Sequence, residues 1–179
     1  EVLMQPARGV RVPGPRDGRT PTPVVPAADA VEQAARALVR ARNPLIVVGL
    51  SGRYPGSWPE LAGLAEIIGA PVVDAYFAAN LAGSHPLNVR NRLSEFLPQA
   101  DVVLFVEPHV PYVPCRTSLP ADAQLIYLEN DPLHAAQVSW EFPADLRLAG
   151  DPTLGLAALR AAAGDLQTSA QKSTAAERA

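Results

Sequence analysis

The stretch Asn43-Pro44-Leu45-Ile46-Val47-Val48-Gly49-Leu50-Ser51-Gly52 decides how this chain folds. Leu45–Val48 is apolar without alternation and stops at a glycine. A strand that is apolar on both sides is covered on both faces, the condition of a parallel sheet flanked by helices. Helical patterns precede and follow it, so it reads as the first strand of an α/β domain. The carboxyl end of such a strand opens into a loop of the kind that cradles phosphates.

Working outward, Val31, Ala35, Leu38 and Val39 share one face at helical period. Asp29 reads as the N-cap of that helix, with Glu32 at capping-box spacing, and Asn43-Pro44 stops it. Ser57 and Glu60 make a second capping box for a helix through Ile68, which buries Leu61, Leu64, Ala65 and Ile68 and ends at Gly69. A short strand Pro71–Val73 follows, then a long loop Asp74–Asn88 and a short helix around Arg92–Leu97. Val102–Val106 is a strand, Glu107–Pro114 a proline-stiffened loop, Leu125–Leu128 the next strand, and Leu146 and Leu148 belong to a last short one. Asp151 then caps a final helix with Pro152 in its first turn and Leu154, Leu156 and Leu159 inward. Strands alternating with helices predict an α/β fold, a three-layer doubly wound parallel sheet of Rossmann-like type.

Composition narrows the function classes. With 179 residues, 48% of them hydrophobic, the chain can bury the core of one domain, and its apolar runs are too short to span a bilayer. A net charge of −3 gives no reason to expect nucleic acid or a membrane surface as partner. The single Cys115 excludes an internal disulfide and fits a reducing, cytoplasmic setting. No Cys-x-x-Cys pair or histidine cluster offers a zinc site, and no metal ligand is assigned. Pro6, Pro13, Pro15, Pro21, Pro23 and Pro26 mark residues 1–28 as an extended connector, and Gly164–Ala179 reads as a frayed helix or linker. The expectation is a piece of something longer.

Several positions could carry chemistry. Gly49, Gly52 and Gly56 permit close backbone approach to a pyrophosphate beside a helix N-terminus, or simply a tight turn. Their G-x-x-G-x-x-x-G spacing is neither the dinucleotide fingerprint nor a P-loop. Glu129 and Asp131 end a strand, where an acid accepts ribose hydroxyls or starts a turn. Glu107 stands at the sheet's binding edge or is a solvated loop charge; His85 and His109 are lone loop histidines. No Ser-His-Asp or Cys-His constellation can be assembled, so no catalytic residue is assigned. Trp58, Tyr76, Phe77, Tyr112 and Trp140 lie near strand ends, where they would line a ring-binding groove or pack against a neighbouring domain.

The ordered segments R-N-P, I-V-V-G, L-A-G-L-A-E-I-I-G-A-P-V-V, S-H-P-L, Q-A-D-V-V-L-F-V, L-I-Y-L-E-N-D-P and L-A-G-D-P-T-L-G-L-A-A-L resemble one family over residues 29–163. It is the central domain of thiamine-diphosphate-dependent enzymes of the acetolactate synthase, pyruvate oxidase and 2-oxoacid decarboxylase type. The resemblance implies a six-stranded parallel sheet of the DHS-like NAD/FAD-binding type. It also implies a parent enzyme using thiamine diphosphate and Mg²⁺, both held by flanking pyrimidine- and diphosphate-binding domains, with oligomer contacts between copies. Glu1-Val2-Leu3 resembles the end of the preceding pyrimidine-binding domain, residues 1–28 its connector, and 164–179 a linker onward. This piece would be catalytically silent alone.

In this family the central domain binds FAD in some members, ADP in one and no nucleotide in others. By position, the flavin-contacting segments correspond to Gly49, Ser51, Gly52, Asp74, Glu107, His109, Glu129, Asp131 and Asp151. Three departures bear on that transfer. Ser51 replaces a usual glycine, Glu107-Pro108-His109 a usual Gly-Ala-Arg, and Glu129-Asn130-Asp131 a usual Asp-x-Asp. A carboxylate beside a pyrophosphate costs binding unless paired or turned away. The expectation is therefore a central scaffold, vestigial or an FAD-type nucleotide-binding domain, with the first loop read as empty. The alternative is a self-standing Rossmann-type nucleotide-binding module or NAD(P)-dependent oxidoreductase.

Overall fold

The computed structural model of the chain describes residues 9, 14, 22–54, 56–75, 80–134 and 142–178. Tyr76, Phe77, Trp140 and most of the proline-rich 1–28 stretch lie outside them, as does Glu1-Val2-Leu3.

Six strands form one sheet: β1 (Pro44–Val48), β2 (Val72–Asp74), β3 (Asn88–Arg90), β4 (Val102–Val106), β5 (Gln124–Glu129) and β6 (Leu146–Ala149). Every pairing is parallel, in the order β3-β2-β1-β4-β5-β6. The α/β doubly wound architecture read from the sequence is therefore the fold. β1 and β4 are buried at all five positions, which explains their unbroken apolar runs. The Asp101 carboxylate accepts from the Arg42 and Asn43 amides at 2.7 and 2.9 Å and pins the starts of these two strands together.

The helices are α1 (Ala28–Arg40), α2 (Ser57–Ile68), α3 (Leu93–Phe96), α4 (Pro152–Leu166) and α5 (Ser169–Arg178). One face of the sheet packs against α1, α2 and α4 through Leu38, Leu61, Leu64, Leu156 and Leu159. Each is fully buried, a contribution of about 1.5–3 kcal/mol apiece. The other face is covered more thinly, by α3, the loop after β4 and the approach to β6. Phe105 stacks on Tyr127 there at 4.8 Å, and Tyr112 meets Phe142 edge-on at 5.2 Å.

Four local expectations are corrected. Asp29 is not an N-cap: α1 begins at Ala28, behind Ala27, and Asp29 sits inside the first turn, where its carboxylate accepts only the neighbouring Ala30 amide. Ser57 is not one either, because Gly56 holds that place and the Ser57 hydroxyl turns back to donate to the Ser51 carbonyl at 2.8 Å. Leu154 faces outward on α4, whereas Leu156 and Leu159 are buried as expected. The loop expected over Asp74–Asn88 yields strand residues at both ends, and β3 is an edge strand of three residues whose pairing to β2 shifts register.

The tail also holds structure. α4 runs on to Leu166, and α5 reaches across to the carboxyl ends of α1 and α2. Arg178 donates to the Ile68 and Ala41 carbonyls at 3.1 and 3.0 Å, Gln171 to Val39 at 3.2 Å and Gln167 to Ile67 at 2.5 Å. These carbonyls are the ones a helix leaves unsatisfied at its end. Gly69 closes α2 at φ 63°, with the Ala175 backbone so close that an added Cβ would stand 2.5 Å from its carbonyl oxygen.

Candidate functional site

Because all strands run the same way, the ends of β2, β1, β4, β5 and β6 lie along one edge. That edge carries the positions matched to the flavin-contacting segments: Asp74, Gly49–Gly52, Glu107 and His109, Glu129 and Asp131, and Asp151. The chain reverses its winding direction between β1 and β4, the place where open α/β sheets form a crevice for ligands.

Here that crevice is closed by backbone. Past the strand ends, the Gly49 amide donates to the Val106 carbonyl and the Leu50 amide to the Glu107 carbonyl, each at 2.9 Å. A Cβ at Gly49 would stand 2.2 Å from the Glu107 oxygen. Gly49 is thus required by the approach of two strands, which is the tight-turn reading of the glycine loop. The loop itself is a short 3-10 turn, Ser51–Arg53, locked by a residue that the sequence pattern did not single out. Buried Asn80 accepts from the Ser51 hydroxyl at 2.9 Å and the Gly52 amide at 2.6 Å, and donates to the Gly49 carbonyl at 3.0 Å.

Beside this turn lies a pocket of about 240 Å³ shared by Arg53, Glu107, His109, Glu129, Asn130 and His134. Glu107 is not a solvated charge. It is 8% exposed and left-handed at φ 47°. Its carboxylate accepts from the Arg53 guanidinium at 2.8 Å, from the Asn130 amide at 2.9 Å and from the Asn130 side chain at 3.3 Å. The Asn130 side chain also donates to the Tyr54 hydroxyl at 2.9 Å. Loops following β1 and β5 are therefore tied together across the end of β4.

Glu129 is 3% exposed, with Oε2 at 2.7 Å from His134 Nε2 and Oε1 buried without a hydrogen-bond partner. Burial, and next the neighbouring Glu107 charge, push its carboxyl up to about 8. Burial pushes the His134 imidazole below its ordinary value. Both directions favour the uncharged forms of the two groups.

The remaining candidates separate from this cluster. Asp151 caps α4, accepting from the Thr153 and Leu154 amides at 2.8 and 3.2 Å, while its own amide donates to Val24. His85 accepts the Leu87 amide on Nδ1 and contacts Glu66 through Nε2, away from this edge's pocket. Asp74 ends β2, on the other side of β1.

The family description "Thiamine pyrophosphate enzyme, central domain" matches residues 31–159. The chain belongs to that family. A pyruvate oxidase from Lactiplantibacillus plantarum is 30% identical over 150 residues, 78% of this chain and 24% of that protein. A thiamin diphosphate-dependent enzyme from Mycobacterium smegmatis superposes with TM-score 0.64 at 25% identity, covering 88% of this chain and 31% of that one. Benzoylformate decarboxylase from Polynucleobacter necessarius shares the fold, with TM-score 0.65 at 22% identity over 85% of this chain and 30% of that one. This chain spans about a quarter of the length of the pyruvate oxidase and under a third of either solved chain.

For a central domain of this family two groups have to be tested against the residues present. The described residues around this pocket do not fit a flavin dinucleotide as they stand. The pocket is smaller than the roughly 300–1,000 Å³ that accommodates drug-sized ligands. Its donors already serve Glu107, and a pyrophosphate there would face buried carboxyls. Nor do the described residues fit a metal-bound diphosphate, since no three His, Cys, Asp or Glu among them are grouped to hold a cation. No described helix is long and apolar enough to cross a membrane.

Proposed function

We propose that this central domain is a catalytically silent scaffold, holding the pyrimidine- and diphosphate-binding domains of a thiamine-diphosphate-dependent enzyme in register without binding FAD itself. One observation carries the reading: the crevice between β1 and β4 is occupied by the chain's own Gly49–Val106 and Arg53–Glu107–Asn130 bonds. Residues 29–163 form the domain proper in this reading. Residues 1–28 lead in from the pyrimidine-binding domain, and 164–179 lead out while bracing α1 and α2. The parent is an acetolactate synthase-like or 2-oxoacid decarboxylase-like transferase or lyase, working as a cytoplasmic homo-oligomer. Thiamine diphosphate and Mg²⁺ bind at its flanking domains, and the thiamine diphosphate supplies the carbanion chemistry.

The strand order also supports the alternative, a free-standing Rossmann-type module or NAD(P)-dependent oxidoreductase, because it is the order of dinucleotide-binding sheets. Calorimetric titration of the chain with FAD, ADP and NAD separates the two. The scaffold reading expects no saturable heat with any of them. Micromolar binding of NAD would overturn it in favour of the module, and micromolar FAD would restore the flavin site.

A further inference from the structure

We propose that Glu107 is a built-in anion: its carboxylate occupies a latent oxyanion site formed by Arg53 and Asn130, a site that takes pyrophosphate or a nucleoside diphosphate once the carboxylate is removed. The inference rests on the scaffold reading and says what closes the site.

The donors have the character of an anion receptor. A guanidinium from one loop, and a backbone amide plus a side-chain amide from another, converge on a single carboxylate within 3.3 Å. Arg53 comes from the segment after β1 and Asn130 from the segment after β5, so the two sides of the receptor lie on opposite sides of β4. Such combinations of oriented amides and an arginine recognise phosphate oxygens as readily as carboxylates. Tyr54 holds the Asn130 side chain in place independently of Glu107, which leaves part of the receptor organised when the carboxylate is absent.

The backbone supports the same conclusion. Glu107 holds φ 47°, a conformation that costs a residue with a side chain more than it costs glycine and that Arg90 and His134 share. The hydrogen bonds its side chain makes to Arg53 and Asn130 hold that backbone in place. Glu129 does not prevent an anion from entering. Its carboxyl is protonated at neutral pH and hydrogen-bonded to His134, so it presents no full charge. Asp131 and His109 also line this pocket.

The experiment follows inorganic pyrophosphate by calorimetry and by thermal melting at neutral pH and constant ionic strength. It uses the wild-type chain, Glu107→Gly, and Glu107→Gly combined with Arg53→Ala. Glu107→Asn, which also tolerates the left-handed backbone, is the second single variant. The wild type should show no saturation and no change in melting temperature. Glu107→Gly or Glu107→Asn should bind at least about tenfold tighter than the wild type and melt higher with pyrophosphate present. Adding Arg53→Ala should abolish the gain. A variant that is unfolded alone but recovers its circular dichroism with millimolar pyrophosphate supports the inference equally. It is overturned if both variants ignore pyrophosphate, folded or not, if the wild type binds it as well as they do, or if binding survives Arg53→Ala. FAD or ADP binding to the wild type would instead overturn the scaffold reading, so the two failures are distinct.

Discussion

The two edges of the sheet are closed by different chemistry. At the edge where α1 and α2 end, Gln167 and α5 offer two neutral amides and one guanidinium to carbonyls that a helix terminus leaves open. Each of those donors meets a backbone acceptor, and the carboxylate nearby, Asp101, is satisfied by the Arg42 and Asn43 amides. At the opposite edge Glu107 and Glu129 crowd together, one paired with Arg53 and Asn130, the other protonated, with one oxygen lacking a partner. The first edge is organised for stability alone. The second retains the donor arrangement of a ligand site and fills it from within, at the cost of a left-handed glutamate and an unsatisfied carboxyl oxygen.

The sharpest way to break this contrast is Gly49→Ala. If the ligand edge is closed by backbone, the added methyl group has no room, because its nearest neighbour is the Glu107 carbonyl at 2.2 Å and not a movable side chain. Urea unfolding followed by tryptophan fluorescence should show a loss of about 3 kcal/mol or more. Full stability would mean that β1 and β4 separate easily at this end, and the crevice would then count as open.

The same question applied to the other edge gives Arg178→Ala. Two carbonyls lose their donor, and a loss of about 2 kcal/mol is expected in the same assay. A negligible loss would mean that α5 is an appendage and that 164–179 behaves as the linker its composition suggests.

What the sequence made legible follows from where each signal is stored. β1, β4 and β5 were readable because full burial writes an unbroken apolar run, and α4 because Asp151-Pro152 states its cap locally. β3 was not, since Asn88-Val89-Arg90 is too short to show a period and is a strand only because β2 lies beside it. The capping boxes at Asp29 and Ser57 had the right spacing, but the observed N-caps are Ala27 and Gly56, two residues and one residue earlier. At the site, the edge and its acidic residues were foreseeable from strand ends. Asn80, Tyr54 and Asn130 were not, because they act by hydrogen bonds between segments 23–76 residues apart in sequence, and nothing local marks them. α5 did carry a local signal, since Thr168 and Gln171 bond each other at capping-box spacing at its start, but the frayed-helix-or-linker reading of 164–179 passed over it.

Glu129→Gln sharpens the electrostatic half of the contrast. The folded chain holds the Glu129 proton up to about pH 8, whereas an unfolded chain releases it near 4.5. The group's contribution is therefore complete below about 4.5 and is lost as pH rises towards 8. His134, lowered by burial, works the other way and loses stability only as pH falls below its ordinary value. Melting temperature measured from pH 5 to 9 should decline between pH 5 and about 8 and level off above that in the wild type, and decline much less in Glu129→Gln. By pH 9 the variant should be more stable by about 1–2 kcal/mol. Coincident profiles would show that Glu129 ionises without penalty, and the edge would not be the crowded one described.

The smallest expected effect decides a residue that sits on the ligand edge without belonging to its cluster. Asp151 follows β6, in line with Glu107 and Glu129, and position alone would make it a phosphate or ribose contact. Its Oδ1, however, already receives the Thr153 and Leu154 amides, the two donors that a bound anion at the start of α4 would use. An N-cap of this geometry contributes about 1 kcal/mol, and an uncapped helix start is a better anion site than a capped one. Asp151→Ala should therefore lower stability by about 1 kcal/mol in urea unfolding, while Asp151→Ser or Asp151→Asn, which cap equally well, should restore it. Restoration by the neutral caps assigns the residue to α4. If only aspartate is stable, its charge rather than its cap geometry is what matters, and the line between the paired and the capped carboxylates of this edge would have to be redrawn.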